Sequence, residues 1–197
     1  HDNFAVMEEV IGYNNPEKEA FAMNALISNK GNFFIADTYI NENPTAEQLA
    51  KGTLMCAAEM KRFGLKPKVA LVSNTNYGSN RNPDANKMQQ ALEIIRELDP
   101  TLEIDGEMQA DVALDETMRK SIFPETTLSG AANLLVMPNV EAANISYNLL
   151  RVNATNGITV GPILMGLNKP VQIVTPISTV RRIVNMIALA AVDAQRQ

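Results

Sequence analysis

Short apolar runs alternate along this chain with longer segments in which apolar residues recur at helical spacing. The runs predict buried strands, and the later segments predict amphipathic helices between them. Strands that alternate with helices of this length form a mainly parallel sheet covered on both faces. The pattern therefore predicts an α/β protein with a three-layer αβα fold. The predicted strands cover residues 33–36, 68–73, 132–138 and 171–174.

Two of the helices have clear boundary signals. Thr45 and Gln48 have the spacing of a capping box, and Gly64 is placed to end a helix that runs to about Arg62. Pro83 suits the first position of the next helix because proline lacks the N–H that this position leaves unpaired anyway. The first thirty residues give only weak signals and are not expected to fold by themselves.

The last helix has an unusual first turn. It is predicted to begin with Ser178 as its N-cap, and Arg181 and Arg182 follow in the first turn. The start of a helix already carries partial positive charge, so cations are disfavoured there and anions are attracted. Two arginines at this end suggest a binding site for an anion such as a phosphate. The alternative is that both side chains extend into solvent or pair with acidic residues elsewhere.

Composition excludes several classes of function. A net charge of −5 argues against a nucleic-acid partner. The single cysteine, Cys56, lies on a helical pattern and is expected to be a buried thiol, which excludes a disulfide framework. The only histidine is His1, so histidine-dependent triads and histidine-rich metal sites are excluded. No apolar run is long enough for a membrane span, and no signal peptide is recognisable, so a soluble cytoplasmic protein is expected.

Ligands of such folds bind beyond the carboxyl ends of the strands. Asp37, the loop 73–79 and the segment 137–144 all follow predicted strands. The loop is small, polar and contains a glycine, which allows backbone N–H groups to approach an anion, although an ordinary strand-to-helix loop has the same character.

Three carboxylates lie close together in the sequence at Asp105, Glu107 and Asp111. Such a group could hold magnesium or take part in acid–base chemistry. A run of this kind is more often a solvated turn of the chain.

Several blocks, in order, resemble the phosphate acetyltransferase (phosphotransacetylase) family. That resemblance implies a fold like that of isocitrate dehydrogenase, with two lobes and a cleft that binds coenzyme A and acetyl phosphate. It also implies an incomplete first-lobe segment at 1–30, the second lobe at 31–162, and a strand and helix at 163–197 that return to the first lobe. The blocks are residues 43–50, the loop ending at Gly78 and Ser79, and residues 105–111, 132–138, 143–147, 161–166 and 169–171.

The chain departs from this family at the motif that carries catalysis. Active members have a serine and an arginine that line the coenzyme A site, and an aspartate thought to deprotonate the thiol. The matching positions here hold Thr175, Pro176 and Arg182. Arginine stays protonated at neutral pH and cannot act as a base. Loss of a positioned base typically costs about 10²–10⁴-fold in rate, so weak or absent transferase activity is expected.

The chain is also similar to the phosphotransacetylase-like C-terminal domain of large bacterial malic enzymes. This resemblance implies a regulatory domain that senses acetyl-CoA. It also implies a catalytic domain in the same parent chain that oxidises and decarboxylates malate to pyruvate with NAD(P) and a divalent metal. The apolar stripe with Ile187, Ala191 and Val192 is expected either to pack against a second subunit of a dimer-based oligomer or to join the core of this chain.

These arguments give one set of candidate ligand-binding residues and no catalytic or metal-binding residue within the chain. Two alternative functions stay open: an active phosphate acetyltransferase, and a domain that serves assembly alone. The candidate residues for acyl-CoA or phosphate are Ser73, Thr75, Asn76, Tyr77, Gly78, Ser79, Pro138, Asn144, Tyr147, Gly161, Pro162, Thr175, Ser178, Arg181 and Arg182.

Overall fold

The structure is a computed structural model that describes residues 2–28, 31–153, 157–176 and 178–195. His1 lies outside these ranges. The strands are β1 (Phe21–Ser28), β2 (Gly31–Ala36), β3 (Lys68–Val72), β4 (Glu103–Met108), β5 (Leu134–Val136) and β6 (Ile158–Met165). The helices are α1 (Asp2–Val10), α2 (Ala46–Arg62), α3 (Pro83–Leu98), α4 (Ala110–Leu114), α5 (Glu116–Ile122), α6 (Val140–Asn153) and α7 (Val180–Ala194).

All six strands form one sheet in the order β4-β3-β5-β2-β1-β6. The four strands from β4 to β2 are parallel, whereas β1 is antiparallel to both β2 and β6. The prediction of a mainly parallel sheet is therefore confirmed. The sheet runs across the expected boundaries at residues 30 and 162, because β1 pairs with β2 and β6 continues through Pro162.

Two apolar cores lie on opposite faces of the sheet, which confirms the three-layer arrangement. On one face, Leu49 and Cys56 of α2 and Met88 of α3 pack against the strands. On the other, Val112 of α4 and Tyr147 of α6 do the same. Cys56 is fully buried as expected, and burial, with the nearby carboxylates as a smaller cause, raises its pKa well above the usual range.

The helix boundaries follow the local signals in the sequence. Both hydrogen bonds of the Thr45–Gln48 capping box are present, and Pro83 begins α3. α7 differs from the prediction, because its N-cap is Thr179, whose hydroxyl accepts from the Arg182 N–H. Ser178 lies one residue too early for this role.

The structure corrects two sequence predictions and adds strands that the sequence signals missed. Residues 171–174 do not form a strand, and only an isolated bridge joins Gln172 to Ile163. Asp105 and Glu107 belong to the buried strand β4, so they are not part of a solvated turn. The sequence signals also missed β1 and β6, which supply one side of the sheet.

A fully buried arginine fixes the segment that follows α5. The Arg119 guanidinium donates to the carbonyl oxygens of Val112 and Ala113 at 3.1 Å, and to that of Leu128 at 2.9 Å. It also donates to the carbonyl oxygen of Gly130 at 2.5 Å. Five guanidinium N–H donors can satisfy such a set of carbonyl oxygens, whereas an apolar side chain cannot. Arg119 thus joins α4 and α5 to the chain that leads into β5.

Helix α7 is attached to α2 near its C-terminal end. Arg62 donates to Asp193 at 2.8 Å and to Glu59 at 2.7 Å, and both acidic residues are buried. Most other residues of α7 are only partly covered: Ile187 is 63% exposed and Val192 44% exposed. The predicted stripe with Ile187, Ala191 and Val192 is therefore exposed, whereas Met186 is buried and Leu189 packs against the core.

In the part of the chain that the structure describes, no helix combines the length and the apolar character required to cross a bilayer.

Candidate functional site

Residues that follow the parallel strands meet at one edge of the sheet, as expected for this topology. Asp37, directly after β2, is buried and accepts hydrogen bonds from the N–H groups of Tyr39, Ile40 and Asn41. Burial raises the pKa of Asp37, and these hydrogen bonds oppose the shift. The carboxyl group fixes the turn that holds Thr38 and Tyr39 at the edge of a pocket.

This pocket, which we call the basic pocket, has a volume of about 170 Å³ and is formed by six separate parts of the chain. It brings together five of the predicted binding residues, and none of the described residues that line it is acidic. Its lining is Asn24, Thr38, Tyr39, Asn144, Tyr147, Asn148, Arg151, Pro162, Ile173, Thr175 and Arg182.

Arg182 enters the basic pocket from the first turn of α7. Its Nε donates to the Gly161 carbonyl oxygen at 3.0 Å, and Arg182 is half-buried. Among the described residues its terminal nitrogens have no acidic partner. With Nε held by this hydrogen bond, the two terminal nitrogens can make a bidentate contact with an oxyanion.

A second arginine lines the same pocket from α6. The Arg151 guanidinium lies over the ring of the buried Tyr147, 5.7 Å from its centroid. Asn144, one helical turn before Tyr147, donates to the Thr38 carbonyl oxygen at 3.4 Å. These contacts give the pocket a positive side formed by Arg151 and Arg182.

Thr175 and Ser178 lie at the exposed end of the pocket, just before α7. The Thr175 N–H donates to the Ser178 hydroxyl at 3.0 Å, and the two hydroxyl oxygens are 3.2 Å apart. Thr175 is part of the pocket lining, whereas Ser178 is not.

Asn24 is a pocket residue that the sequence signals did not identify. Its amide donates to the Thr38 hydroxyl at 2.5 Å, and its Oδ1 is buried without a hydrogen-bond partner among the described residues. A Cβ at Gly161 would lie 2.5 Å from that oxygen. Gly161 is therefore needed for the close approach of β6 to β1. The one signal for Asn24 is its polarity within the apolar segment 21–27.

Other predicted residues lie outside the basic pocket. Arg181 is exposed and does not line it, whereas Pro138 is buried at the end of β5. Of the two arginines at the start of α7, the structure thus brings only Arg182 to the pocket.

The predicted loop 73–79 forms a second group, which is organised around the buried carboxylate of Glu107. This carboxylate accepts from the Thr75 hydroxyl at 2.7 Å and from the Gly78 N–H at 3.1 Å. The N–H of Tyr77 donates to the Glu107 carbonyl oxygen, and the N–H of Asn76 donates to the Ser79 hydroxyl at 3.1 Å. The N–H groups of Asn76, Tyr77 and Gly78 are therefore engaged within the protein, and binding of a phosphate by this loop stays a prediction.

Tyr77 and Asp105 extend this network. The Tyr77 ring stacks on Phe123 with 4.2 Å between centroids, and its hydroxyl donates to Asp105 at 3.3 Å. Burial is the main cause that raises the pKa of Tyr77 to about 12, so the phenol stays neutral at physiological pH. Asp105 also accepts from the hydroxyl of Thr126 at 2.5 Å and from the N–H of Thr127 at 3.1 Å.

The three carboxylates of the predicted cluster have different surroundings in the structure. Asp105 and Glu107 are surrounded by protein donors, and Asp111 is exposed at the start of α4. Within the described ranges, no group of three acidic, histidine or cysteine side chains is placed to hold a metal ion.

Comparison with known proteins gives one consistent family. The profile described as phosphate acetyl/butaryl transferase matches residues 5–191. The chain is 56% identical over 197 residues to the NADP-dependent malic enzyme of Escherichia coli K12. This match covers 100% of the chain but only 26% of the malic enzyme. The chain is also 36% identical over 163 residues to the phosphate acetyltransferase of Helicobacter pylori J99. This match covers 83% of the chain and 31% of the acetyltransferase.

A solved structure shows the same architecture. A phosphotransacetylase from Streptococcus pyogenes superposes with a TM-score of 0.90 at 30% sequence identity. The match covers 100% of this chain and 60% of that protein. The chain therefore spans only part of the length of each of these relatives.

Proposed function

The chain belongs to the phosphate acetyl/butaryl transferase family, and on that premise we propose that it is a regulatory domain that binds acetyl-CoA without transferring its acetyl group. It is a phosphotransacetylase-like domain that matches 26% of the length of a malic enzyme. The proposal adds the ligand, the regulatory role and the absence of catalysis.

The observation that carries this proposal is the anchored guanidinium of Arg182. Its Nε donates to the Gly161 carbonyl oxygen at 3.0 Å, and Arg182 lines a pocket without an acidic lining residue among those described. Arg151 adds a second positive charge. Two cations that face one pocket without carboxylate partners favour an anionic ligand, and the phosphates of an acyl-CoA provide one.

The same residue argues against acetyl transfer. Arg182 stands where the family resemblance places the aspartate that deprotonates the coenzyme A thiol, and an arginine stays protonated. Asp105 and Glu107 are poor substitutes because both are buried and held by protein hydrogen-bond donors away from the basic pocket.

We further propose that the parent protein is a malic enzyme in which this domain regulates malate oxidation. The catalytic domain of the same polypeptide would hold NAD(P) and a divalent metal, and no residue of this chain is assigned to either. Acetyl-CoA would change activity at that distant site only if it binds two arrangements of the enzyme with different affinity.

The outer surface of α7 supports the proposal that the domain also takes part in an oligomer. Val180, Val184 and Ile187 recur on one side of this helix and are 77%, 57% and 63% exposed. An apolar stripe of this kind is commonly covered by another protein surface, and a second copy of the chain is the occupant that we propose.

The proposal is tested on the full-length protein by following malate oxidation with and without acetyl-CoA. The wild type is compared with the Arg182→Ala variant and with Arg181→Ala, which removes an equal charge from the exposed neighbour. We expect acetyl-CoA to change the rate of the wild type and of Arg181→Ala, and to have at least about tenfold weaker effect on Arg182→Ala.

Two outcomes would replace this proposal with the alternatives. Conversion of acetyl phosphate and coenzyme A to acetyl-CoA by the wild type would show an active transferase. An unchanged malate-oxidation rate, combined with no detectable binding of acetyl-CoA by calorimetry, would leave assembly as the function of the domain.

A further inference from the structure

The basic pocket is small in comparison with the ligand proposed above. Its volume is about 170 Å³. Sites that enclose a drug-sized molecule usually have about 300–1,000 Å³, and an acyl-CoA is larger than most such molecules. Only a short part of the ligand can therefore enter. A cavity of this size fits the end of a molecule better than its middle, because a middle segment needs an exit on both sides.

The acyl group is the narrow end of an acyl-CoA. The phosphates of coenzyme A are attached to the nucleoside or lie between it and the pantetheine arm, so they bring bulky neighbours to any pocket. The acyl group brings none. Entry by this end also places the thioester beside Arg182, which is where the family resemblance places the coenzyme A thiol.

The lining of the pocket favours a charged group over a hydrocarbon group. Arg151 and Arg182 supply two positive charges, and the described lining contains no carboxylate. The other lining side chains carry amides or hydroxyls, with the exception of Pro162 and Ile173. A methyl group forms no hydrogen bond with such a lining, whereas a carboxylate accepts hydrogen bonds from guanidinium and amide groups.

The two arginines are held in different ways. The Nε of Arg182 donates to the Gly161 carbonyl oxygen at 3.0 Å, and this side chain is half-buried. Arg151 lies over the Tyr147 ring, 5.7 Å from its centroid, and is exposed. Removal of the Arg151 charge therefore changes the electrostatics of the pocket without removing a hydrogen bond that joins α7 to β6.

We propose that the basic pocket binds the acyl end of acyl-CoA thioesters and prefers acyl groups that end in a carboxylate, such as malonyl and succinyl. This inference rests on the proposed function, since it requires the domain to bind an acyl-CoA at this pocket. The carboxylate pairs with Arg151 and Arg182, and the pantetheine arm leaves past Thr175 at the exposed end. Neutral acyl groups of the same length bind more weakly, because they give the two cations no anionic partner.

Isothermal titration of the full-length protein with succinyl-CoA and butyryl-CoA tests this inference, because the two acyl groups have the same length and differ in charge. At low salt we expect succinyl-CoA to bind about tenfold more tightly. Arg151→Gln should reduce this preference about threefold or more, since it removes one of the two charges of the pocket. The control Arg181→Gln removes an equal charge from an exposed position outside the pocket and should leave the preference unchanged.

Failure of this inference differs from failure of the proposed function. If acetyl-CoA and butyryl-CoA bind in an Arg182-dependent manner but succinyl-CoA binds no more tightly, the proposed function stands and the preference for anionic acyl groups is wrong. If Arg181→Gln lowers the preference as much as Arg151→Gln does, the acyl carboxylate does not lie in the basic pocket. If no thioester binds, the proposed function and this inference are both overturned.

Discussion

The Nε of Arg182 donates to the carbonyl oxygen of Gly161 at 3.0 Å, although 21 positions separate these residues in the chain. This contact joins the first turn of α7 to the middle of β6, and it fixes the guanidinium plane at the wall of the basic pocket. The Arg182 side chain therefore offers a ligand both a positive charge and a fixed arrangement of hydrogen-bond donors. A substitution that keeps the charge but changes the donors can distinguish these two contributions.

Replacement of Arg182 by lysine keeps the charge but removes the fork of nitrogens. A lysine ammonium cannot donate to Gly161 and at the same time offer two parallel hydrogen bonds to a phosphate. We expect Arg182→Lys to weaken the binding of acetyl-CoA by about tenfold in a calorimetric titration. Affinity equal to that of the wild type would mean that charge alone accounts for the contribution of this residue.

Gly161→Ala should damage the pocket itself. The added Cβ would lie 2.5 Å from Asn24 Oδ1 and 3.0 Å from the Met23 carbonyl oxygen, at a backbone φ of +132°. We expect a loss of about 2–3 kcal/mol in the free energy of unfolding, together with weaker ligand binding. Gly64→Ala is the control, because φ is +76° there but no atom lies within 4 Å of the new Cβ. Its cost in a urea titration should be clearly smaller.

The N-cap of α7 gives a prediction about two adjacent residues. Thr179→Ala removes the hydroxyl that accepts from the Arg182 N–H at 3.2 Å, and should cost about 1 kcal/mol in thermal unfolding. Ser178→Ala removes a hydroxyl that accepts from the Thr175 N–H but makes no cap contact with α7, and should cost less. A larger loss at Ser178 would restore the N-cap assignment suggested by the sequence.

Arg119→Met tests the importance of the buried guanidinium. The substitution leaves several buried carbonyl oxygens, including those of Val112 and Leu128, without their donor. We expect a loss of about 3–5 kcal/mol in the free energy of unfolding measured with urea. The neighbouring Lys120→Met removes an exposed ion pair with Glu116 and should change stability by less than about 1 kcal/mol.

Glu103 should make the free energy of unfolding depend on pH in the acidic range. Burial opposes ionisation of this carboxyl, but hydrogen bonds from Lys66 and Ser129 outweigh it and lower its pKa to about 2. The folded state therefore releases this proton more readily than the unfolded state, whose pKa stays near the ordinary 4.5. The resulting stabilisation is present above pH 4.5 and is lost as the pH falls towards 2.

The measurement compares the wild type with Glu103→Gln across this range of pH. At pH 7 we expect the wild type to be more stable by about 1–2 kcal/mol, a discounted value because Lys66 is largely exposed. The difference should shrink towards pH 2. A difference that is independent of pH would contradict the assignment of this effect to the charge of Glu103.

Local signals predicted α2 and α3 well because their determinants lie within a few residues of the sequence. The capping box at Thr45 and the proline at position 83 act on the backbone beside them. β1 was missed for a physical reason. It lies between β2 and β6 and is buried on both faces over residues 21–26, so it lacks the alternation of polar and apolar residues that identifies a strand.

The acidic segment of β4 could not be interpreted correctly from the sequence alone. Asp105 and Glu107 are buried because their partners come from distant positions, such as Thr126 for the first and Thr75 for the second. Without these donors, two carboxylates and a glycine have the composition of an exposed turn. The partners become visible only when the sheet brings the segments together.

Only part of the basic pocket was predicted, because its residues also come from distant positions in the sequence. Spacing placed Arg181 and Arg182 together in the first turn of a helix, but neighbouring positions point about 100° apart and only packing decides which side chain enters a pocket. Asn24 and Arg151 were missed because β1 and the end of α6 meet α7 only in the folded chain.

The way in which the basic pocket is assembled has a thermodynamic consequence. Its lining comes from residues as far apart as Asn24 and Arg182, so the pocket does not exist in the unfolded chain. Any molecule that binds there selects the folded state, and its concentration becomes a variable of folding stability. At about 100 times its dissociation constant, a ligand adds about 2.7 kcal/mol to the free energy of unfolding. For this domain, a cell rich in ligand is also a cell in which the domain unfolds less often.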